Sequence, residues 1–118
     1  MISIKEVLDY VQETYGTIPD HPFKKQPEYT VLRHNYNKKW YALIMKLPRN
    51  KVGLAGNELM EVVNVKVDLE MAEILSQSND FFPAYHMNKE HWITVRLDGQ
   101  LEKEIVFSLL DESFWLTK

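Results

Sequence analysis

The sequence lacks cysteine and long apolar runs, and each absence excludes a class of protein. None of the 118 residues is cysteine, which excludes a disulfide framework, a thiolate zinc site and a cysteine nucleophile. No apolar run approaches the roughly 20 residues that a membrane-spanning helix requires. Residues 1–16 carry acidic side chains inside their apolar pattern, unlike a signal peptide. We therefore expect a cytoplasmic protein with no membrane segment.

Catalytic and metal-binding motifs are also missing. The sequence contains no G-x-S-x-G, no glycine-rich phosphate loop and no H-E-x-x-H. His86 and His91 lie on either side of a predicted turn, and this spacing need not place both rings on one face, as a metal pair requires. We therefore expect no enzyme, no metal site and no cofactor.

The charges are unevenly distributed along a chain whose length is typical of one domain, residues 1–118. The net charge is −3, which argues against a uniformly basic nucleic-acid binder. However, residues 24–51 hold eight lysines and arginines against the single acid Glu28. The rest of the chain holds six basic residues against sixteen acids. The basic segment is either a phosphate-binding region or a solvated hairpin rich in lysine.

Apolar periodicity predicts the order α-β-β-β-α-β-β-α. Residues 3–15 form the first predicted helix, with Ser3 and Glu6 as a capping box, and Asp68 caps a second helix over residues 69–77. A third helix begins near Leu101, and a separate final turn is expected at residues 111–116.

Five β-rich runs predict the strands. Residues 29–48 form a hairpin that turns at "NYNK", residues 59–67 form the third strand, and residues 79–99 form a hairpin that turns near Asn88 and Lys89. Because no βαβ regularity is present, we expect a two-layer α+β fold. Its sheet is mainly antiparallel and five-stranded, with the helices on one face.

Alternation along the strands predicts which side chains face the helices. The more apolar sets are Tyr41, Leu43, Met45 and Leu47 in the second strand, Val63, Val65 and Val67 in the third, and His91, Ile93, Val95 and Leu97 in the fifth. The opposite, outer face then collects Trp40, Lys46, Asn64, Lys66, Trp92, Thr94 and Arg96. Such a face suits nucleic-acid stacking, a protein interface, or a half-hydrated sheet surface.

Four segments resemble the bacterial MmcQ/YjbR-like family. They are "RHNYNKKWYALI", "VVNVKVD", "AYHMNKEHWITVRLDG" and "LLDESFWL", and they occur in that order along nearly the whole chain. The resemblance implies a small two-layer α+β domain with a DNA-binding-like pair of hairpins called a double wing. It also implies a likeness to type III secretion chaperones and to the frataxin-like group. No catalytic residue is implied.

We expect the hairpin tips, around residues 35–39 and around Asn88 and Lys89, to bind nucleic acid, in particular DNA. Asn88 and Lys89 are also favourable turn residues, and a structural role explains Asn88 better than a ligand does, because turn residues need no ligand. The alternative function is a protein-interaction or chaperone-like module that holds a protein partner on the outer sheet face. The candidate nucleic-acid-binding residues are Arg33, Lys38, Lys39, Trp40, Lys66, Tyr85, His86, Asn88, Lys89, Trp92 and Arg96.

Overall fold

Three helices and five strands make up the computed structural model, which describes residues 1–118. The helices are α1 (Ile4–Tyr15), α2 (Leu69–Leu75) and α3 (Lys103–Leu116). The strands are β1 (Thr30–Arg33), β2 (Trp40–Pro48), β3 (Leu59–Lys66), β4 (Phe81–Pro83) and β5 (Trp92–Arg96), and a short 3-10 helix (Arg49–Val52) follows β2. The predicted α+β class and the predicted order of elements are confirmed. None of the helices has the length and apolarity needed to cross a membrane.

The five strands form one sheet in the order β1-β2-β3-β5-β4, and every neighbouring pair is antiparallel. Because β1 and β2 are joined by a hairpin, as are β4 and β5, this order fixes the direction of each tip. Residues 34–39, residues 84–91 and the C-terminal end of β3 all lie at the same end of the sheet. We call this the hairpin end.

Side-chain caps define where the helices begin. The Ser3 hydroxyl accepts from the backbone N–H of Glu6, whose carboxylate accepts from the backbone N–H of Ser3, so the predicted capping box is confirmed. Asp68 caps α2 by accepting from the N–H of Met71 at 2.8 Å, also as predicted. Gly16 ends α1 with a φ of 67°, in the left-handed region that glycine adopts readily.

The final turn predicted at residues 111–116 is wrong, because α3 continues to Leu116. The buried Ser113 hydroxyl accepts from the backbone N–H of Lys66 at 2.8 Å and donates to the backbone carbonyl of Tyr41 at 2.5 Å. These bonds join the last turns of α3 to β2 and β3, so the helix continues where sequence alone suggested a break.

One face of the sheet is covered by all three helices. Their buried side chains include Val7, Val11, Ala72, Val106, Leu109 and Leu110, which pack against the inner residues of the strands. The predicted inward faces of β3 and β5 are confirmed, since Val63, Val65, Val67, Ile93, Val95 and Leu97 all belong to this core. His91 was expected on the same face, but it precedes β5 and is exposed.

The face predicted for β2 is correct for Tyr41, which packs toward the helices, and wrong for the residues that follow it. Ala42 and Ile44 pack toward the helices, whereas Leu43, Met45 and Leu47 point away from them. Two features explain the error. A bulge places Tyr41 as an extra residue between the Leu32–Ala42 and Arg33–Trp40 pairs, so alternation is interrupted. Both faces of β2 are also buried, so apolarity could not distinguish them.

The predicted face of Lys46 is wrong for the same reason. It shares the helix-side face of β2 with Ile44, not the outer face, and its ammonium lies 3.9 Å from the carboxylate of Glu61 on β3.

The outer face of the sheet is not half-hydrated. Seven buried side chains form a second core there: Val31, Leu43, Met45, Leu47, Met60, Val62 and Phe82. We call this the outer cluster. Loop side chains pack over it, namely Phe23, Tyr29, Val52, Leu54, Tyr85 and Met87, together with Trp40 at the start of β2. The chain's own loops therefore occupy the surface that we expected to be open.

Candidate nucleic-acid interface at the hairpin end of the sheet

The first hairpin tip is a tightly bonded turn that exposes two lysines. The N–H of His34 donates to the carbonyl of Lys39 at 2.9 Å, and the N–H of Lys38 donates back to the carbonyl of His34 at 3.1 Å. The Asn37 side chain accepts from the N–H of Lys39 at 3.0 Å. Lys38 adopts a φ of 63°, and both lysine side chains are exposed without an ion-pair partner. This geometry presents two free ammonium groups to solvent.

His34 anchors this tip to the helical layer. Its ring is buried and packs on Phe114 with 4.3 Å between ring centroids. Its Nε2 lies 2.7 Å from the hydroxyl of Thr117, which donates its own proton to the carbonyl of Ser113 at 2.8 Å. His34 must therefore donate from Nε2. Burial lowers the pKa of His34, and the nearby Lys118 and Lys39 ammonium groups act in the same direction, so the ring is a neutral structural group.

Arg33 binds within the protein. Its Nε donates to the carboxylate of Asp20 at 2.8 Å, and one terminal nitrogen donates to the carbonyl of Lys38 at 3.2 Å. Its guanidinium lies 5.4 Å from the ring centre of Trp40, which meets Phe23 edge to face at 5.9 Å. Arg33 and Trp40 therefore hold the first tip in place and have less freedom to contact a ligand than Lys38 has.

The second hairpin tip is built around Asn88. Its side chain accepts from the N–H of Glu90 at 2.8 Å, and its carbonyl accepts from the N–H of Trp92 at 3.0 Å. These bonds support the structural role that the sequence offered for Asn88. His86 has a φ of 66° and is exposed, as is Lys89 at the tip. Lys89 has no ion-pair partner, so this tip also presents a free cation.

A buried polar network fixes the start of the second tip, and it was not foreseen from the sequence. The Thr94 hydroxyl donates to the side-chain oxygen of Asn64 at 2.6 Å and accepts from the N–H of Tyr85 at 3.0 Å. The Asn64 amide donates to the carbonyl of Tyr85 at 2.9 Å. Asn64 and Thr94 are paired across β3 and β5 and are fully buried. The signal in the sequence that could have predicted this network was a polar residue in each of two otherwise apolar strands.

The remaining candidates divide between the two ends of the sheet. Lys66 and Trp92 are half-buried partners at the hairpin end, in register across β3 and β5. Arg96 lies four residues further along β5, about 13 Å away at the usual rise per residue. There it donates to Asp98 at 2.6 Å, and Asp98 also accepts from Arg49 at 2.8 Å. Arg96 is therefore not part of the hairpin-end surface, although it lies on the predicted outer face, since its cross-strand partner Val62 belongs to the outer cluster.

The helical layer is acidic. Helices α1 and α3 each carry one lysine against three acids, and α2 carries two acids and no cation. The free lysines of the basic segment lie in the turns and loops at the sheet's hairpin end and outer face. The acids are thus concentrated on the helices, whereas Lys38, Lys39 and Lys89 lie at the hairpin end beside the exposed Glu90.

A five-stranded antiparallel sheet with three helices on one face and two hairpin tips at one end defines the class: a small, two-layer α+β protein. The family model described as YjbR matches residues 12–116. The chain belongs to the YjbR family, which confirms the resemblance found in the sequence.

Relatives and solved structures agree with this assignment. The uncharacterized protein YyaQ of Bacillus subtilis is 40% identical over 118 residues, covering 100% of both chains. The uncharacterized protein YjbR of Escherichia coli K12 is 43% identical over 53 residues, or 44% of this chain and 45% of that protein. A Pseudomonas syringae crystal structure superposes with a TM-score of 0.96 at 45% identity, covering 99% of this chain and 100% of that one. The crystal structure of Deinococcus radiodurans protein DR2400 superposes with a TM-score of 0.76 at 29% identity, covering 98% of this chain and 78% of that one.

Proposed function

We propose that the protein binds nucleic acid, DNA in particular, through the hairpin end of its sheet. The observation that carries this proposal is the placement of both hairpin tips at one end. They present Lys38, Lys39 and Lys89 as exposed cations without ion-pair partners. Lysines of this kind contact phosphates and position a protein on the backbone without reading sequence.

The spacing of the tips suits a duplex backbone. The sheet order places the axes of the two hairpins three strand spacings apart, which is about 14 Å at the usual separation between strands. The major groove of B-DNA is about 12 Å wide, so the two tips are separated by a distance comparable with that between the walls of one groove. The acidic helices favour an orientation in which the hairpin end meets the phosphates.

We infer a binding role without catalysis. The exposed groups at the two tips include the ammonium groups of Lys38, Lys39 and Lys89, which suit contact with an anionic backbone, beside the exposed His86 and Glu90. The buried His34 is committed to Thr117 and has a lowered pKa, so it is placed to support the turn. The alternative, a protein held on the outer sheet face, has less support because the outer cluster and its loops already cover that face.

The proposal is tested by replacing Lys38 and Lys39 together with glutamine and measuring DNA and RNA binding by fluorescence anisotropy at several salt concentrations. Each phosphate contact contributes about 0.9 to the slope of log affinity against log salt on duplex DNA. We expect the double variant to flatten the slope by nearly two units for all sequences alike. Stability should change little, because exposed turn charges contribute little to folding.

A matched control is the replacement of Lys24 and Lys25 with glutamine. These adjacent lysines are also exposed and free of ion pairs, and they belong to the same basic segment but lie outside the hairpin tips. The control removes the same charge from outside the hairpin tips. If the tips contact the phosphates, it should change the salt slope much less than the Lys38 and Lys39 replacement does. An equal effect of both pairs would indicate only a general charge attraction. No binding to DNA or RNA at low salt would refute the proposal.

A further inference from the structure

We propose that the groove between α2 and the second hairpin tip binds an unpaired nucleobase, so that the preferred ligand is single-stranded at that point. This inference rests on the proposed function and specifies its ligand. The groove has a volume of about 500 Å³, the largest on the molecule, and Trp92 and Lys89 line it opposite residues of α2. Small-ligand pockets typically measure about 300–1,000 Å³, so the space suits one base with its sugar.

Trp92 provides the surface for stacking. It is half-buried and lines the groove, yet it packs into neither the helix-side core nor the outer cluster, and no other aromatic ring stacks on it. Trp40, in contrast, packs on Phe23 and Arg33. Bases stack on accessible aromatic rings in single-strand-binding proteins whatever their sequence. The position of Trp92 is explained by a ligand better than by packing.

Polar groups around the ring match the rest of a nucleotide. Lys89 belongs both to the hairpin tip and to the groove, so a single nucleotide can place its phosphate on Lys89 and its base on Trp92. Glu73 and Ser76 lie one turn apart on the opposite wall, and neither side chain has a hydrogen-bond partner in the protein. A carboxylate accepts from the exocyclic amine of cytosine, so Glu73 favours cytosine over thymine.

We expect the groove to accept an unpaired base. It lies beside the tip, between α2 and Pro83 of the edge strand β4. A base could enter it only after leaving its stack, which costs a few kcal/mol in an intact duplex and least in a strand that is already single. The lysines can contact the backbone of a duplex or of a single strand, but a single strand inserts its base at the lower cost. The protein should therefore bind single strands more tightly.

The test compares labelled oligo-dC, oligo-dT and a hairpin duplex by anisotropy at one low salt concentration, with Trp92→Leu and the control Trp115→Leu. Trp115 is an exposed tryptophan of α3 outside the groove. We expect Trp92→Leu to weaken oligo-dC binding about 5- to 100-fold, the effect of losing one stacked base. Its duplex binding and all binding by Trp115→Leu should change less than twofold. Glu73→Gln should remove the preference for oligo-dC over oligo-dT.

The outcomes separate this inference from the proposed function. Wild-type preference for the duplex, or equal losses on single strand and duplex in Trp92→Leu, would overturn the base site. The salt-slope effect of Lys38 and Lys39 would then still support nucleic-acid binding. Absence of binding to every oligonucleotide would overturn both. If Trp92→Leu fails to fold, as judged by circular dichroism, Trp92→Met replaces it. Methionine fills irregular space but has no stacking ring, so oligo-dC binding must still fall more than duplex binding, and unchanged oligo-dC binding overturns the base site.

Discussion

Replacing Thr94 with valine removes the central hydroxyl of the buried network that holds the second hairpin tip. Valine has nearly the same shape, so packing is kept while two hydrogen bonds are lost. The N–H of the partly buried Tyr85 and the side-chain oxygen of the fully buried Asn64 are left without their partner. Each unsatisfied buried group costs about 1–3 kcal/mol. We therefore expect the free energy of unfolding to fall by about 2–6 kcal/mol.

Urea denaturation measures this loss, and Thr30→Val is the matched control. Thr30 is also a buried strand threonine, but its hydroxyl makes only long contacts of 3.4 and 3.5 Å. That substitution should cost less than about 1 kcal/mol, since bonds of such length are weak. Amide exchange at Tyr85 should also accelerate in Thr94→Val alone. Equal midpoints for the two variants would show that the network does not stabilise the tip.

Two further predictions concern pH. Burial acts to raise the pKa of Asp98, but hydrogen bonds from Arg96 and Arg49 hold it below its usual value. Asp98→Asn should therefore lower the melting temperature at pH 7. The deficit should shrink as the pH falls below about 4, where the unfolded chain takes up a proton at Asp98 before the folded protein does. Burial lowers the pKa of His34, so the unfolded chain takes up the proton first. Wild-type stability should decrease as the pH falls below about 6.5, and His34→Gln should flatten that part of the curve of stability against pH. An unchanged curve in either variant contradicts the assigned group.

Local signals in the sequence were sufficient for the elements of this fold. Ser3 with Glu6, and Asp68, identified the starts of two helices because a cap depends only on residues three positions apart. The alternation in β3 and β5 identified their inward faces, since each strand carries a regular valine or isoleucine pattern toward the helices. These features need no information from distant parts of the chain.

Features that depend on tertiary contact were predicted less well. The inward face of β2 was inverted because a bulge at Tyr41 shifts the alternation and both faces are apolar. The cover over the outer sheet face comes from side chains in irregular loops, such as Phe23 and Leu54, whose paths no periodicity defines. For the site, the sequence supplied Lys38 and Lys89 as tip residues. The groove of α2 beside Trp92 required the folded chain, because its walls come from three separate segments.

The proposed binding surface is tested most directly by a ¹⁵N–¹H NMR titration of the wild-type protein with a DNA oligonucleotide that contains both single-stranded and duplex parts. We predict that the amide signals that shift belong to residues 35–39 and 87–92, while the signals of α1 stay in place. Shifts that cluster on the acidic α1 and α3, or no shifts at low salt and excess DNA, would contradict it.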